Sequence, residues 1–130
     1  MNTVDSFKLS DVEIKSGNPY ATVLVVSMDN RSLKTSARIL VQVGTIARPT
    51  GWRTKPAKVG KADGEEIVDT GKGPWLVVNG DVTVTIANPM LKSAKVLDAN
   101  GMVVKDATLE TVPGGKRLLF PTDALYVILQ

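Results

Sequence analysis

Short runs rich in valine and isoleucine, each bounded by turn residues, recur along the whole chain. Their length, about five to ten residues, is that of a β-strand. In the run DVTVTI, Val82, Val84 and Ile86 alternate with aspartate and threonine, a two-residue period typical of a strand with one buried face. No run favours a helix, so the chain is predicted to be all-β. Ten segments are predicted as strands: 7–15, 20–28, 37–47, 65–69, 74–78, 81–87, 94–99, 102–107, 116–120 and 124–130.

The turns between these segments indicate antiparallel pairing. Asn100-Gly101 and Asn79-Gly80 each lie between two apolar runs, and an Asn-Gly pair supplies the positive φ of a tight hairpin turn. Residues 116–130 are also predicted to form a hairpin or neighbouring strands. Short strands spaced about ten residues apart predict an antiparallel β-sandwich with Greek-key or jelly-roll connections, with a barrel as the less favoured alternative. At 130 residues, the chain is predicted to be one domain, residues 1–130.

The predicted core is built from the apolar positions of these strands. The run YATVLVVSM, residues 20–28, is apolar on both faces and is therefore predicted to lie centrally in a sheet. The predicted core residues are Val23, Val25, Ile39, Val41, Val82, Val84, Ile86, Val96, Leu119, Tyr126 and Ile128.

Composition excludes most catalytic arrangements. The chain contains no cysteine and no histidine, which excludes disulfides, thiolate metal sites and cysteine nucleophiles and removes the commonest general base. Glu65 and Glu66 form the one acidic doublet, but adjacent strand residues point to opposite faces, so they do not form the carboxylate pair of a glycosidase. We predict no catalytic residue, no enzymatic activity and no cofactor.

Two pairs of acidic and amide residues lie where a calcium ion could bind. Asp29 with Asn30, and Asp98 with Asn100, offer oxygen ligands of the kind that calcium takes. Turn formation explains the same residues more simply, and no metal site is predicted.

The segment RPTGWRTKPAKVGK, residues 48–61, holds five of the sixteen cations and no acid. It is predicted to be a surface loop. Nucleic-acid binding favours a denser basic field with stacking aromatics, whereas the formal net charge here is +3 and aromatic residues make up 5% of the chain. A nucleic-acid partner is therefore disfavoured. If a glycan binds, the five cations favour one that carries carboxylate or sulfate.

The two tryptophans are the residues most informative about a ligand. An exposed indole ring is a platform for a sugar ring, whose hydroxyls neighbouring cations can bond. Trp52 leaves two interpretations open: a ligand platform, or a lid on one end of the sandwich held by Arg48 and Arg53. Trp75 is followed by LVV and is predicted to lie in the core, with ligand binding as the alternative. The candidate ligand-binding residues are Trp52, Arg53, Arg48, Lys55 and Trp75.

No part of the sequence indicates a membrane segment or a targeting signal. No stretch approaches the roughly 20 apolar residues of a membrane span, and the N-terminus has no basic start followed by an apolar run. Because the sequence begins with what already resembles a strand, we expect an excised domain whose parent carried any signal.

Four phrases resemble a known accessory domain: residues 36–56, 71–86, 91–106 and 122–129. They are similar to the C-terminal β-sandwich of large bacterial glycoside hydrolases whose catalytic part is a (β/α)₈ barrel. The resemblance implies an extracellular or periplasmic, non-catalytic module that binds polysaccharide, with plant or algal glycans as targets, or packs against its catalytic domain. The alternative function is a structural interaction domain that docks on the barrel or on itself, without a ligand.

Overall fold

The structure, a computed structural model, describes residues 5–130. This part of the chain is all-β, as predicted, and contains fourteen strands joined by turns and loops. No helix in it is long and apolar enough to cross a membrane. The strands are β1 (Asp5–Lys8), β2 (Val12–Ser16), β3 (Thr22–Ser27), β4 (Ile39–Gly44), β5 (Ala47–Thr50), β6 (Arg53–Val59), β7 (Ala62–Asp69), β8 (Lys72–Val77), β9 (Val82–Ile86), β10 (Ala94–Leu97), β11 (Val103–Asp106), β12 (Thr108–Val112), β13 (Gly115–Leu119) and β14 (Tyr126–Leu129).

The chain divides into two compact units. The sandwich unit consists of the described residues up to Thr45 together with Asn79–Gln130, and the ribbon unit is Ile46–Val78. Residues 1–4, which the predicted single domain includes, lie outside the described residues. That single domain stays a prediction.

The sandwich unit is an antiparallel β-sandwich, as predicted. Sheet A has the strand order β1-β2-β9-β13-β12, and sheet B has the order β11-β10-β14-β4-β3. The chain repeatedly crosses from one sheet to the other, for example from β2 to β3 and from β13 to β14. The prediction that residues 116–130 form neighbouring strands is therefore wrong, because β13 and β14 belong to different sheets.

Inward-facing side chains from both sheets form the core. Along β9 every second residue is buried, which gives the predicted period of two. Sheet A contributes Val12, Val82, Val84, Ile86 and Leu118, and sheet B contributes Ile39, Val41, Val43, Val96, Val127 and Leu129. Val23 and Val25 are partly buried and pack against this core. The predicted core residues of β4, β9 and β10 are thus confirmed.

The core prediction is wrong for Leu119 and Tyr126, whereas Ile128 is buried, as predicted. Leu119 is 39% exposed, while its neighbours Leu118 and Phe120 are buried. In β14 the side chains in the core cluster are Val127 and Leu129, so Tyr126 and Ile128 lie on the opposite face of sheet B. Ile128 is buried there, outside the core cluster.

Of three further predictions about strands and turns, one is confirmed and two are wrong. Asn100-Gly101 does close a hairpin between β10 and β11, with Gly101 at φ 81°. Asn79-Gly80 closes none, because β8 pairs with β5 and β9 pairs with β2 and β13. The run at 20–28 is not central: its strand, β3, is an edge of sheet B.

Candidate binding surface

The ribbon unit consists of two antiparallel strand pairs. β5 pairs with β8, and β6 pairs with β7 as a hairpin whose register includes Lys55 opposite Glu66 and Lys58 opposite Asp63. Much of the segment predicted as a surface loop, residues 48–61, is therefore strand. Pairing is irregular between Pro49 and Thr50, close to the turn that carries Trp52. That tryptophan lies between β5 and β6, outside either strand, as predicted.

Glycine and backbone hydrogen bonds fix this turn. Gly71 has φ +69°, and a Cβ there would meet the Thr50 carbonyl oxygen and lie 2.9 Å from the Trp52 backbone nitrogen. The Trp52 N–H donates to the Pro49 carbonyl at 3.1 Å, and the Thr50 hydroxyl donates to the Pro74 carbonyl at 2.7 Å. The close approach requires glycine at 71, and it holds Trp52 in a defined place.

Arg48 stacks on Trp52. The guanidinium carbon lies over the indole ring, 5.2 Å from its centroid, within the range of a cation–π contact. Trp52 is half-buried, so its ring is neither fully open nor part of a core. Arg48 thus lies over the ring, and Trp52 also lines a groove; both interpretations of Trp52 stay predictions.

This groove has a volume of about 280 Å³ and lies entirely within the ribbon unit. Apolar side chains predominate in its lining, and Arg48 is the charged side chain among them. Most of this lining was not among the candidate residues, although the apolar run 74–78 supplies three of its side chains, Leu76, Val77 and Val78. The lining includes Ile46, Arg48, Pro49, Trp52, Leu76 and Val78.

Trp75 is exposed, so its predicted place in the core is wrong. Its side chain is 66% exposed on β8, in a residue pair with Pro49. The following residues, Leu76, Val77 and Val78, are also exposed. The reason is that β8 belongs to a two-stranded ribbon and not to a sheet of the sandwich. An apolar run of this kind is buried only where other layers cover both of its faces.

The remaining two candidate residues, Arg53 and Lys55, are paired with acids of β7. Arg53 Nη2 lies 3.4 Å from Asp69 Oδ2, and Lys55 Nζ lies 3.0 Å from Glu66 Oε2. Between 53 and 69 the sequence holds four cations and four acids, so the hairpin has no net formal charge. The neutral charge of the hairpin was not predicted, because the acids follow the basic segment in the sequence and meet it only through strand pairing.

One of these acids is held in its ionised form. Asp69 Oδ1 accepts a hydrogen bond from the Gly71 N–H at 2.9 Å. This backbone bond, followed by the hydrogen bond and charge of Arg53, lowers the pKa of Asp69. The same acid therefore connects the end of the β6–β7 hairpin to the Gly71 turn.

The acids considered as calcium ligands form turns. Asp29 Oδ1 accepts from the Ser36 and Ser27 hydroxyls at 2.7 and 2.8 Å, and Oδ2 accepts from the Ala37 N–H at 2.7 Å. These bonds, that of Ser36 first, lower the pKa of Asp29. Asp98 Oδ1 accepts from the N–H groups two and four residues later. Within residues 5–130, no group of three or more metal-binding side chains is placed to hold an ion.

The structure thus brings together Arg48 and Trp52, places Trp75 in the same ribbon, and places Arg53 and Lys55 on the adjoining hairpin. No protein-family model, curated protein or solved structure matches this chain.

Proposed function

We propose that this chain is a non-catalytic accessory module of a polysaccharide-degrading enzyme and that the ribbon unit binds the polysaccharide. The observation that carries the proposal is the 66% exposure of Trp75 in a paired strand. An exposed indole ring on a paired strand offers an apolar face against which the C–H groups of a sugar can pack. The groove beside Trp52 adds a second aromatic surface, and Arg48 adds donors for sugar hydroxyls.

The charge distribution favours a neutral polysaccharide over an acidic one. Arg53, Lys55 and Lys58 each form an ion pair with an acid of β7. An acidic ligand would have to compete with those carboxylates for the same cations. A neutral chain needs only apolar contact and hydrogen bonds, which Trp75 and the groove supply.

Three of the described carboxyl groups are unsuited to act as a general acid at neutral pH. Asp29, Asp69 and Asp123 have lowered pKa values, whereas a general acid at neutral pH needs a raised one. Glu65 and Glu66 are paired with different residues of β6, Pro56 and Lys55, and adjacent strand residues face opposite sides.

The test is affinity electrophoresis on neutral and acidic polysaccharides, comparing the wild-type chain with Trp75→Ala and with Tyr20→Ala. Tyr20 is a matched control because it is an exposed aromatic, 59% accessible, in the sandwich unit. We expect Trp75→Ala to weaken binding to a neutral glycan by about tenfold or more, as for an aromatic hot spot, with an unchanged melting temperature. Tyr20→Ala should bind normally. Equal binding by all three proteins would contradict the proposal.

A second candidate function is docking on a protein surface, such as the parent catalytic domain. The observation that favours it is that both faces of the β5–β8 ribbon expose apolar side chains, including Leu76 on one and Val77 on the other. A two-stranded ribbon is marginally stable alone in water, and a protein partner would cover it. This candidate function predicts no binding to any of the polysaccharides in affinity electrophoresis. It also predicts slower amide exchange in β8 when the chain is joined to its parent enzyme.

A further inference from the structure

One edge of the sandwich lacks the features that normally prevent strand pairing between molecules. β3, Thr22–Ser27, pairs with β4 and with no other strand of the described residues. Its surrounding run YATVLVVSM contains no charged residue, no proline and no glycine. Proteins usually protect an edge strand with charge, proline, a bulge or a cover, because an open edge is a template for another strand.

The other three edges of the sandwich carry such protection. β1 has the charged residues Asp5 and Lys8 among its four residues. β12 has Glu110 at its centre. β11 has Lys105 and Asp106, and its pairing with β10 is irregular. Among the four edges of the sandwich, β3 is therefore the one without such protection.

The backbone groups at this edge can be identified from the register. The Met28 N–H donates to the Arg38 carbonyl at 2.8 Å, in line with the β3–β4 register in which Val26 opposes Leu40. Bonding to a neighbour alternates along an antiparallel strand. Even-numbered residues of β3 therefore bond β4, and the N–H and C=O groups of Val23, Val25 and Ser27 point to the open edge.

Side chains on both faces of β3 suit an apolar partner strand. Val23 and Val25 pack against the sandwich core. On the other face, Leu24 and Val26 are 47% and 37% exposed, and Met28 continues the same row. A partner strand must therefore be uncharged and apolar on both faces, and β3 itself meets this requirement.

We propose that β3 pairs antiparallel with β3 of a second copy of this chain. A two-fold axis perpendicular to sheet B preserves its antiparallel order and lets the same backbone groups bond each other. Centred on Val25, it sets Val25 opposite its own counterpart, Leu24 opposite Val26 of the second copy, and Val23 opposite Ser27 of the second copy. Two five-stranded sheets then become one continuous sheet, with apolar cross-strand pairs at the junction.

The length of the strand determines how strong the dimer is. Six residues span about 20 Å, and edge pairing over that length buries less than the roughly 800 Å² per partner of a stable interface. The dimer is therefore weak and reversible. It forms as the protein concentration rises from the micromolar to the millimolar range.

Sedimentation equilibrium of the full chain over that concentration range tests the proposal. We expect the average mass to rise from 13.9 kDa toward twice that value. The double variant Leu24→Lys/Val26→Lys places like charges directly opposite each other and should stay monomeric. Leu119→Lys is the matched control, since Leu119 is 39% exposed on sheet A, and Leu76→Lys controls for the ribbon. Both should dimerise like the wild type.

A charge-exchange mixture separates loss of pairing from loss of folding. The variant Leu24→Glu/Val26→Glu is also expected to be monomeric, but an equimolar mixture with the lysine variant should form heterodimers, since each lysine then opposes a glutamate. If the double variants fail to fold, a mixture of Leu24→Lys with Val26→Glu gives the test, because the lysine at position 24 of one copy then opposes the glutamate at position 26 of the other, and this mixture should dimerise more strongly than either variant alone. A wild-type chain that stays monomeric throughout overturns the proposal. A dimer that persists in the Leu24→Lys/Val26→Lys variant also overturns the proposal. A dimer that is lost in Leu76→Lys overturns it as well.

Discussion

The sandwich unit and the ribbon unit use similar apolar strands to opposite effect. In β4 and β9 of the sandwich, every second side chain is buried. In β7 and β8 of the ribbon, every side chain is exposed, although the run PWLVV is as apolar as any core strand. The difference lies in the number of layers: two facing sheets enclose a core, whereas a two-stranded ribbon has no second layer of its own. The same residue types therefore form a buried core in one unit and an exposed apolar surface in the other.

The ribbon unit has no core of its own, and weak local interactions stabilise it instead. Its cross-strand ion pairs, such as Lys55 with Glu66, join side chains that are both more than half exposed, and such pairs contribute about 0 to 1 kcal/mol each. The Arg48–Trp52 contact adds about 0.5 to 1 kcal/mol for an exposed cation–π pair. Changes in the sandwich are therefore expected to alter stability, and changes in the ribbon are expected to alter binding.

A matched pair of leucine substitutions gives the largest expected contrast between the units. Leu118 is fully buried in β13, and Leu76 is 57% exposed in β8. Leu118→Ala should lower the free energy of unfolding by about 3 kcal/mol, because a buried truncation leaves a cavity. Leu76→Ala should change it by less than about 0.5 kcal/mol. Urea denaturation of both variants measures the difference, and similar losses would mean that β8 packs like a core strand.

The sequence predicts the sandwich well because its signals are local. Alternation identifies β9 and its buried residues Val82, Val84 and Ile86, and Asn100-Gly101 identifies the β10–β11 hairpin. Errors arise where alternation is absent. In the runs LLF and YVILQ almost every residue is apolar, so the sequence does not show which side chains face the core. A shift of one position exchanges the two faces of a strand.

The ribbon was predicted poorly for a different reason. β6 contains Pro56 and three cations, so it resembles a basic loop until β7 supplies its acids. The sequence predicted Trp75 to be a core residue because a single sequence does not show whether a second layer covers an apolar strand. Both properties depend on tertiary pairing, which neither propensity nor periodicity encodes. Among the properties of the candidate residues, the sequence predicted the position of Trp52 outside a strand. It did not predict the exposure of Trp75 or the ion pairs of Arg53 and Lys55.

A matched pair of glycine substitutions tests the geometry of the ribbon itself and has the next largest expected effect. Gly71 and Gly60 both have positive φ, +69° and +63°, but a Cβ at Gly60 has no neighbour within 4 Å. Gly60→Ala should cost only the left-handed strain of about 1 kcal/mol. Gly71→Ala adds the clash with the Thr50 carbonyl and should open the β5–β8 pairing. Amide exchange in β5 and β8 measures this opening, and equal exchange in the two variants would show that the close approach at Gly71 is not required.

The smallest expected effect concerns one acid with a lowered pKa in each unit, Asp29 in the sandwich and Asp69 in the ribbon. Hydrogen bonds from Ser36 and Ala37 lower the pKa of Asp29 in the sandwich, whereas the Gly71 N–H and then Arg53 lower that of Asp69 in the ribbon. Because each folded-state pKa is depressed, the stabilisation is present above the ordinary aspartate value, about 3.9. It is lost as the pH falls through the lowered value.

The carboxyl titrations followed by NMR separate these two causes. In Arg53→Gln the pKa of Asp69 should rise only part of the way to its ordinary value, because the Gly71 N–H, its larger cause, remains. Added salt should raise the pKa of Asp69 slightly in the wild type, by screening Arg53, and leave that of Asp29 unchanged, because hydroxyl and backbone donors hold it. A complete return of the Asp69 pKa in Arg53→Gln would mean that charge, and not the Gly71 turn, keeps this acid ionised. The ribbon would then depend on its ion pairs where the sandwich depends on hydrogen-bonded turns.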